Sequence, residues 1–214
     1  MIRYRSVILD VDSTLCAIEG VDWLAARRGP EVARRVAETT ERAMSGEIAM
    51  EAVYGDRLAL VRPSRRDIEQ LAQAYRDSVA PGAREAIHAL RAQGVRAVLV
   101  SGGLRQAIAP LASELGFTEA DLHAVDVRWD EHGEYAGFDE TSPLTTQHGK
   151  VGVVRSANLP PPALAVGDGA TDLAMRPAVA AFAAFTGFVR RDAVVSGADH
   201  VCESFAAVRD LVLT

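Results

Sequence analysis

Asp10 and Asp12 stand two residues apart in the run Asp10-Val11-Asp12-Ser13-Thr14, directly after an apolar segment. In extended backbone both side chains point to the same side. Two carboxylates brought together beside apolar residues are costly unless donors or a cation compensate them. A hard, oxygen-seeking cation allows a division of labour, one carboxylate attacking and the other moving protons. Taken alone, the pair fits a simple turn of Asp, Ser and Thr better. Three further groups point the same way. Ser101-Gly102-Gly103 precedes a helix pattern, so its hydroxyl and N–H groups can cradle a phosphate. Lys150, after Gly149 at the opening of a helix pattern, can neutralise phosphoryl oxygens. Gly167-Asp168-Gly169-Ala170-Thr171-Asp172 adds two carboxylates flanked by glycines, which suits a Mg²⁺ site with close backbone approach. Each has an ordinary alternative as a turn or a surface charge. Together they converge on phosphate plus Mg²⁺.

These groups need elements to hold them. Ser6–Val11 is a continuous run rich in β-branched residues, as in a strand buried on both faces. Val95–Val100 and Ala163–Val166 read the same way, and Val179–Ala183 is a weaker fourth because alanine is a poor strand former. Helical patterns at Ala83–Gln93, Leu104–Leu115 and Val151–Ala157 alternate with these strands; Gly94 and Gly116 are stops, and Pro110 disturbs the second. The alternation predicts a doubly wound α/β parallel sheet, with ligands beyond the carboxyl ends of its strands. The polar motifs fall at those ends.

Residues 17–79 contain no convincing strand and predict helices at Val21–Arg28, Pro30–Met44, Ile48–Val61 and after Ser64, whose Asp67 suits a capping box. The expectation is a helical cap (17–79) inserted after the first strand of a core formed by 1–16 and 80–214. Ala124–Trp129 and Glu134–Phe138, joined through His132-Gly133, predict an inserted β-hairpin.

Composition narrows the function classes. A chain of 214 residues with formal charge −6 presents no broad basic surface, which disfavours a nucleic-acid partner. Cys16 and Cys202 share no metal or redox spacing, the histidines share no zinc-ligand spacing, and no apolar run reaches membrane-spanning length. A cytoplasmic protein is expected, the N-terminus having no signal-like apolar stretch; oligomeric state is not legible.

The four motifs, in this order and spacing, resemble the haloacid dehalogenase superfamily of phosphatases. Asp10 to Gly20, Met44-Ser45-Gly46 to Arg57-Leu58-Ala59-Leu60, and Gly133 to Thr141 extend the likeness over nearly the whole chain, to the phosphoserine phosphatase family. The resemblance implies that Asp10 attacks phosphorus to form an aspartyl-phosphate, and that Asp12 protonates the departing alkoxide and later activates water. It implies Mg²⁺ held by the Asp10 carboxylate, the Asp12 backbone carbonyl and Asp168, with Asp172 positioning the metal's waters or Lys150. Ser101, Gly102, Gly103, Lys150 and Thr171 would surround the phosphoryl group. Glu19 would meet the substrate's amino group and Arg57 its carboxylate, with Met44 lining the pocket and Arg191 as a further anion-binding arginine. The implied reaction is hydrolysis of O-phospho-L-serine, the last step of serine biosynthesis. Met50 stands where the family often has phenylalanine, and Ser45 at a variable position, both touching the expected apolar wall. Competing readings are a phosphatase or phosphotransferase for another small amino- or hydroxy-acid phosphate, a phospho-aspartate signalling receiver, and a non-catalytic binding protein on this scaffold. Against the receiver stand the position of Asp10 on the first strand and the helical insertion.

Overall fold

The structure, a computed structural model, describes residues 2–214. Its strands are β1 (Ser6–Leu9), β2 (Arg96–Leu104), β3 (Leu122–Val125), β4 (Val127–Trp129), β5 (Tyr135–Phe138), β6 (Ala163–Gly167), β7 (Ala181–Phe185) and β8 (His200–Cys202). Six of them form one parallel sheet in the order β3-β2-β1-β6-β7-β8. The chain winds outward from β1 to one edge, then returns beside β1 and winds to the other. That reversal leaves a crevice between β1 and β6 at their carboxyl ends. Val7, Ile8 and Leu9 have no exposed surface, and each such side chain contributes about 2 kcal/mol by burial.

Helices α1 (Gly20–Ala26), α2 (Pro30–Met44), α3 (Tyr54–Val61) and α4 (Arg65–Asp77) all lie between β1 and β2. The remaining helices are α5 (Ala83–Ala92), α6 (Arg105–Glu114), α7 (Gly149–Ser156), α8 (Ala170–Leu173), α9 (Asp192–Gly197) and α10 (Phe205–Leu213). The chain leaves and re-enters the core side by side: Ala17 N donates to Ser78 O at 2.8 Å and Ala80 N to Leu15 O at 2.8 Å. Helix α4 packs along α6, and the hairpin β4–β5 braces the α3–α4 junction through Trp129 Nε1 to Pro63 O at 3.0 Å. Among the described residues no helix is long and apolar enough to cross a membrane. Both cysteines are buried and unpaired.

The α/β sheet, the helical insertion and the hairpin agree with expectation, and the capping box forms: Asp67 N donates to Ser64 Oγ and Ser64 N to Asp67 Oδ2. Several boundaries differ. The predicted Ile48–Val61 helix divides into a short 3₁₀ turn at Met50–Ala52 and α3. Strand β2 does not stop at Val100 but continues through Ser101-Gly102-Gly103, and its pairing with β3 shifts register before Leu104. Such an irregularity re-aims side chains, here at the phosphate-cradle motif. Ala124 and Val125 join β3 in the main sheet rather than the hairpin. β7 begins two residues later than predicted and is wholly buried, so burial between neighbours outweighs the low strand propensity of its alanines. Pro110 is accommodated inside α6.

Candidate active site

The ladder carries β1 one step past Leu9, where Asp10 N donates to Val166 O at 3.0 Å. The chain then turns sharply, with Ser13 in the left-handed region at φ 51°. Asp10 and Asp12 thereby enter one pocket with Glu19, Val21, Met44, Met50, Tyr54, Arg57, Ser101, Gly102, Gly103, Lys150, Asp168 and Thr171. Strand ends supply its floor and the inserted helices its roof.

Lys150 is the electrostatic centre of the floor. Buried on α7, its Nζ donates to Asp10 Oδ1 at 2.5 Å and to Asp172 Oδ1 at 2.6 Å. Burial disfavours the ammonium, yet Asp10 and Asp172 outweigh that and hold its pKa above the ordinary value. The second oxygen of Asp172 accepts from Gly169 N at 3.0 Å, so both are engaged. Gly167 permits this approach, since a Cβ there would lie 2.2 Å from the Asp172 carboxyl carbon. Asp168 accepts from Thr14 Oγ1 at 3.0 Å and pairs with the Arg191 guanidinium.

The carboxylates are under strain of charge. Burial, reinforced by Asp172, pushes Asp10 well above the usual carboxylate range despite Lys150. Burial and Asp172 push Asp168 up to about 7. Burial also raises Asp12, and burial with Asp12 raises Glu19. Asp10, Asp168 and Asp172 each offer an oxygen within 4.8 Å of the others, all buried. A cluster of hard oxygen donors whose negative charge is incompletely compensated fits a divalent cation.

In the roof, Glu19 accepts from Ser13 Oγ at 2.7 Å. Arg57 is buried and loosely held: its NH1 reaches only Met50 Sδ at 3.8 Å, Asp22 lies 3.9 Å from NH2, and Nε has no hydrogen-bond partner among the described residues. Met44 and Met50 supply the apolar wall. Ser45 does not line it; its hydroxyl turns back to Arg42 O at 3.2 Å. Arg191 also stands outside the pocket lining, bridging Asp168 and, at 3.3 Å, Glu41 of α2.

Sequence reasoning missed two tyrosines. Tyr54 of α3 donates to Gly102 O at 2.7 Å, and Tyr75 of α4 donates to Asp12 Oδ1 at 2.7 Å. Thr14 also supports Asp168, a contact its local motif does not disclose. On a helical pattern the tyrosines look like core residues, and only their hydroxyls hint at more.

A family model described as haloacid dehalogenase-like hydrolase matches residues 7–177. The chain is 36% identical over 209 residues to the chloroplastic phosphoserine phosphatase of Arabidopsis thaliana, covering 95% of this chain and 70% of that protein. It is 37% identical over 203 residues to the phosphoserine phosphatase of Homo sapiens, covering 94% and 89%. A crystal structure of a phosphoserine phosphohydrolase-like protein from Francisella tularensis superposes with a TM-score of 0.86 at 23% identity, covering 98% of this chain and 100% of that one, a likeness of fold. The chain belongs to the haloacid dehalogenase-like hydrolases, and within them it stands with the phosphoserine phosphatases.

Proposed function

We propose that the chain hydrolyses O-phospho-L-serine to L-serine and phosphate, with Mg²⁺ as its cation. The observation that carries this reading is one pocket with a phosphoryl floor, Lys150 bound to Asp10 and Asp172, beneath a roof bearing Glu19 and the loosely partnered Arg57. Its relatives' activity supports the same substrate.

In this reading Asp10 uses the oxygen not held by Lys150 to attack phosphorus. The serine C–O–P linkage breaks on the phosphorus side as Asp12 gives its proton to the departing serine oxygen. Asp10 then carries the phosphoryl group. Asp12, now a carboxylate, takes a proton from the water that attacks phosphorus; phosphate leaves and both aspartates return to their starting forms. Ser101, Gly102, Gly103, Lys150 and Thr171 hold the equatorial oxygens, where charge is spread. Mg²⁺ held by the Asp10 carboxylate, the Asp12 backbone carbonyl and Asp168 would offset repulsion between an anionic nucleophile and an anionic substrate. Asp172 keeps Lys150 in place, and Arg191 acts on the site through Asp168.

Glu19 receives the substrate's ammonium group, which relieves its unfavourable burial. Arg57 offers its unused donors to the carboxylate as a planar fork. Met44, Met50, Tyr54 and Arg57 of the insertion roof this pocket, so in this reading substrate enters as the roof moves outward. Residues 17–79 would form that moving cap, over a core of 1–16 and 80–214. The unpaired thiols suit a reducing, cytoplasmic setting.

The test compares phosphate release from O-phospho-L-serine, O-phospho-L-threonine and a carboxylate-free phosphomonoester, with Mg²⁺ or EDTA and with acceptor alcohols present. The expected result is Mg²⁺-dependent hydrolysis with the highest kcat/KM for O-phospho-L-serine. Equal kcat/KM across the three, or phosphoryl transfer mainly to the alcohol, overturns the substrate or the reaction.

A further inference from the structure

Tyr75 has no exposed surface and sits on the face of α4 that also buries Ile68, Leu71 and Ala72. Its position suggests packing alone, but its hydroxyl reaches past the core to the pocket, donating to Asp12 Oδ1 at 2.7 Å. The same oxygen accepts from Gly20 N at 3.0 Å. Room for the phenol depends on Gly20, where a Cβ would lie 2.2 Å from the Tyr75 oxygen. The other carboxylate oxygen turns the opposite way: a Cβ on Gly103 would lie 2.9 Å from Asp12 Oδ2 and 3.1 Å from Ser101 Oγ. One oxygen of Asp12 is therefore clamped by two donors from the insertion, and the other faces the phosphate cradle.

We propose that Tyr75 is a positioning residue for proton transfer, locking the Asp12 carboxylate, together with the Gly20 N–H, so that Oδ2 faces the scissile oxygen. The proposal rests on the role given to Asp12 above. With Oδ1 occupied by two donors, the transferable proton resides on Oδ2, where it passes to the departing serine oxygen and is later replaced by one from water. With the roof closed, the hydroxyl is held from behind. Helix α4 is packed on α6, and Cys16 Sγ donates to Tyr75 O at 3.4 Å. A carboxylate free to rotate would spend much of its time with neither oxygen aligned, which slows the step without weakening substrate binding.

Leaving-group chemistry separates positioning from general stability. Serine leaves as an alcohol and needs the proton; p-nitrophenolate is stable enough to leave without it. In Tyr75→Phe, kcat for O-phospho-L-serine should fall about tenfold, the worth of one hydrogen bond, with KM within about twofold. With p-nitrophenyl phosphate, rapid mixing should show a burst of p-nitrophenolate at the wild-type rate, followed by a slowed steady state, because only hydrolysis of the phosphoryl-enzyme still needs Asp12. Gly20→Ala, whose methyl displaces the phenol, should reproduce the pattern. An unchanged kcat, a loss confined to KM, equal slowing of phosphoryl transfer from both substrates, or a reduced burst amplitude with unchanged rate constants would each overturn the proposal. Wild-type protein inactive on O-phospho-L-serine would instead sink the functional reading, and the proposal with it.

Discussion

The two halves of the pocket are built on different plans. The floor comes from strand ends and helix starts, where buried Lys150 ties Asp10 to Asp172 and Thr14 with Arg191 holds Asp168. The roof comes from separate helices, each giving one or two side chains: Glu19 just before α1, Met44 at the end of α2, and Arg57 in α3. Each of these floor carboxylates is anchored by at least one protein donor, whereas Arg57 comes no nearer to a carboxylate than 3.9 Å, at Asp22. The difference teaches a division of roles. On the proposed reading, groups that stabilise a developing charge are held fixed in advance, and groups that recognise the substrate are left for it to complete.

Lys150→Met should break the floor. Removing the cation from between Asp10 and Asp172 should lower kcat by about 10³-fold on every phosphomonoester, whether or not it carries a carboxylate. A loss confined to O-phospho-L-serine would move Lys150 to the recognition side and erase the contrast. Arg57→Ala should break only the roof: kcat/KM for O-phospho-L-serine falls on the order of 10²-fold, as for truncation of a buried charge pair, and a carboxylate-free ester is nearly unaffected. Equal loss on both would show that Arg57 serves the chemistry.

The floor's charge can be probed without mutation. Asp168 has its pKa raised to about 7 by burial and Asp172, so between the ordinary carboxylate range and that value the folded protein binds more protons than the unfolded one. Stability of the metal-free protein therefore falls as pH rises through this window, and burial of Asp10 and Glu19 acts with the same sign. Mg²⁺ should restore the loss, with apparent affinity rising over the same window. Thermal unfolding in EDTA and in Mg²⁺ across that range checks it; a Tm that climbs with pH in EDTA would contradict the charge assignment. The smallest effect is expected from Ser64→Ala, which removes the cap of α4 and should cost about 1 kcal/mol in denaturant unfolding with kcat unchanged.

The same contrast explains what the sequence disclosed. Asp10, Asp12, Ser101, Lys150, Asp168 and Asp172 belong to short local motifs beside apolar runs, and a buried parallel strand advertises its end. Edge strands β3 and β8 lack such runs, because each is covered on fewer sides and includes a histidine. Tyr54 and Tyr75 were hidden for another reason. Their helical spacing describes only the face they bury, and which core atom lies beyond the hydroxyl is decided by how α3 and α4 dock. Ser45 illustrates the converse, since neighbouring Met44 in sequence did not carry it into the pocket. The role of Arg191 likewise depends on its partners Asp168 and Glu41, which are distant in sequence.

The most direct test of the whole account is to trap the covalent intermediate. Wild-type protein mixed with O-phospho-L-serine and Mg²⁺ and quenched in acid should carry one phosphoryl group on the peptide containing Asp10. Asp10→Asn should show neither that label nor phosphate release. A variant that still releases phosphate at the wild-type rate, or a label on another residue, would contradict the assignment of Asp10 as the nucleophile.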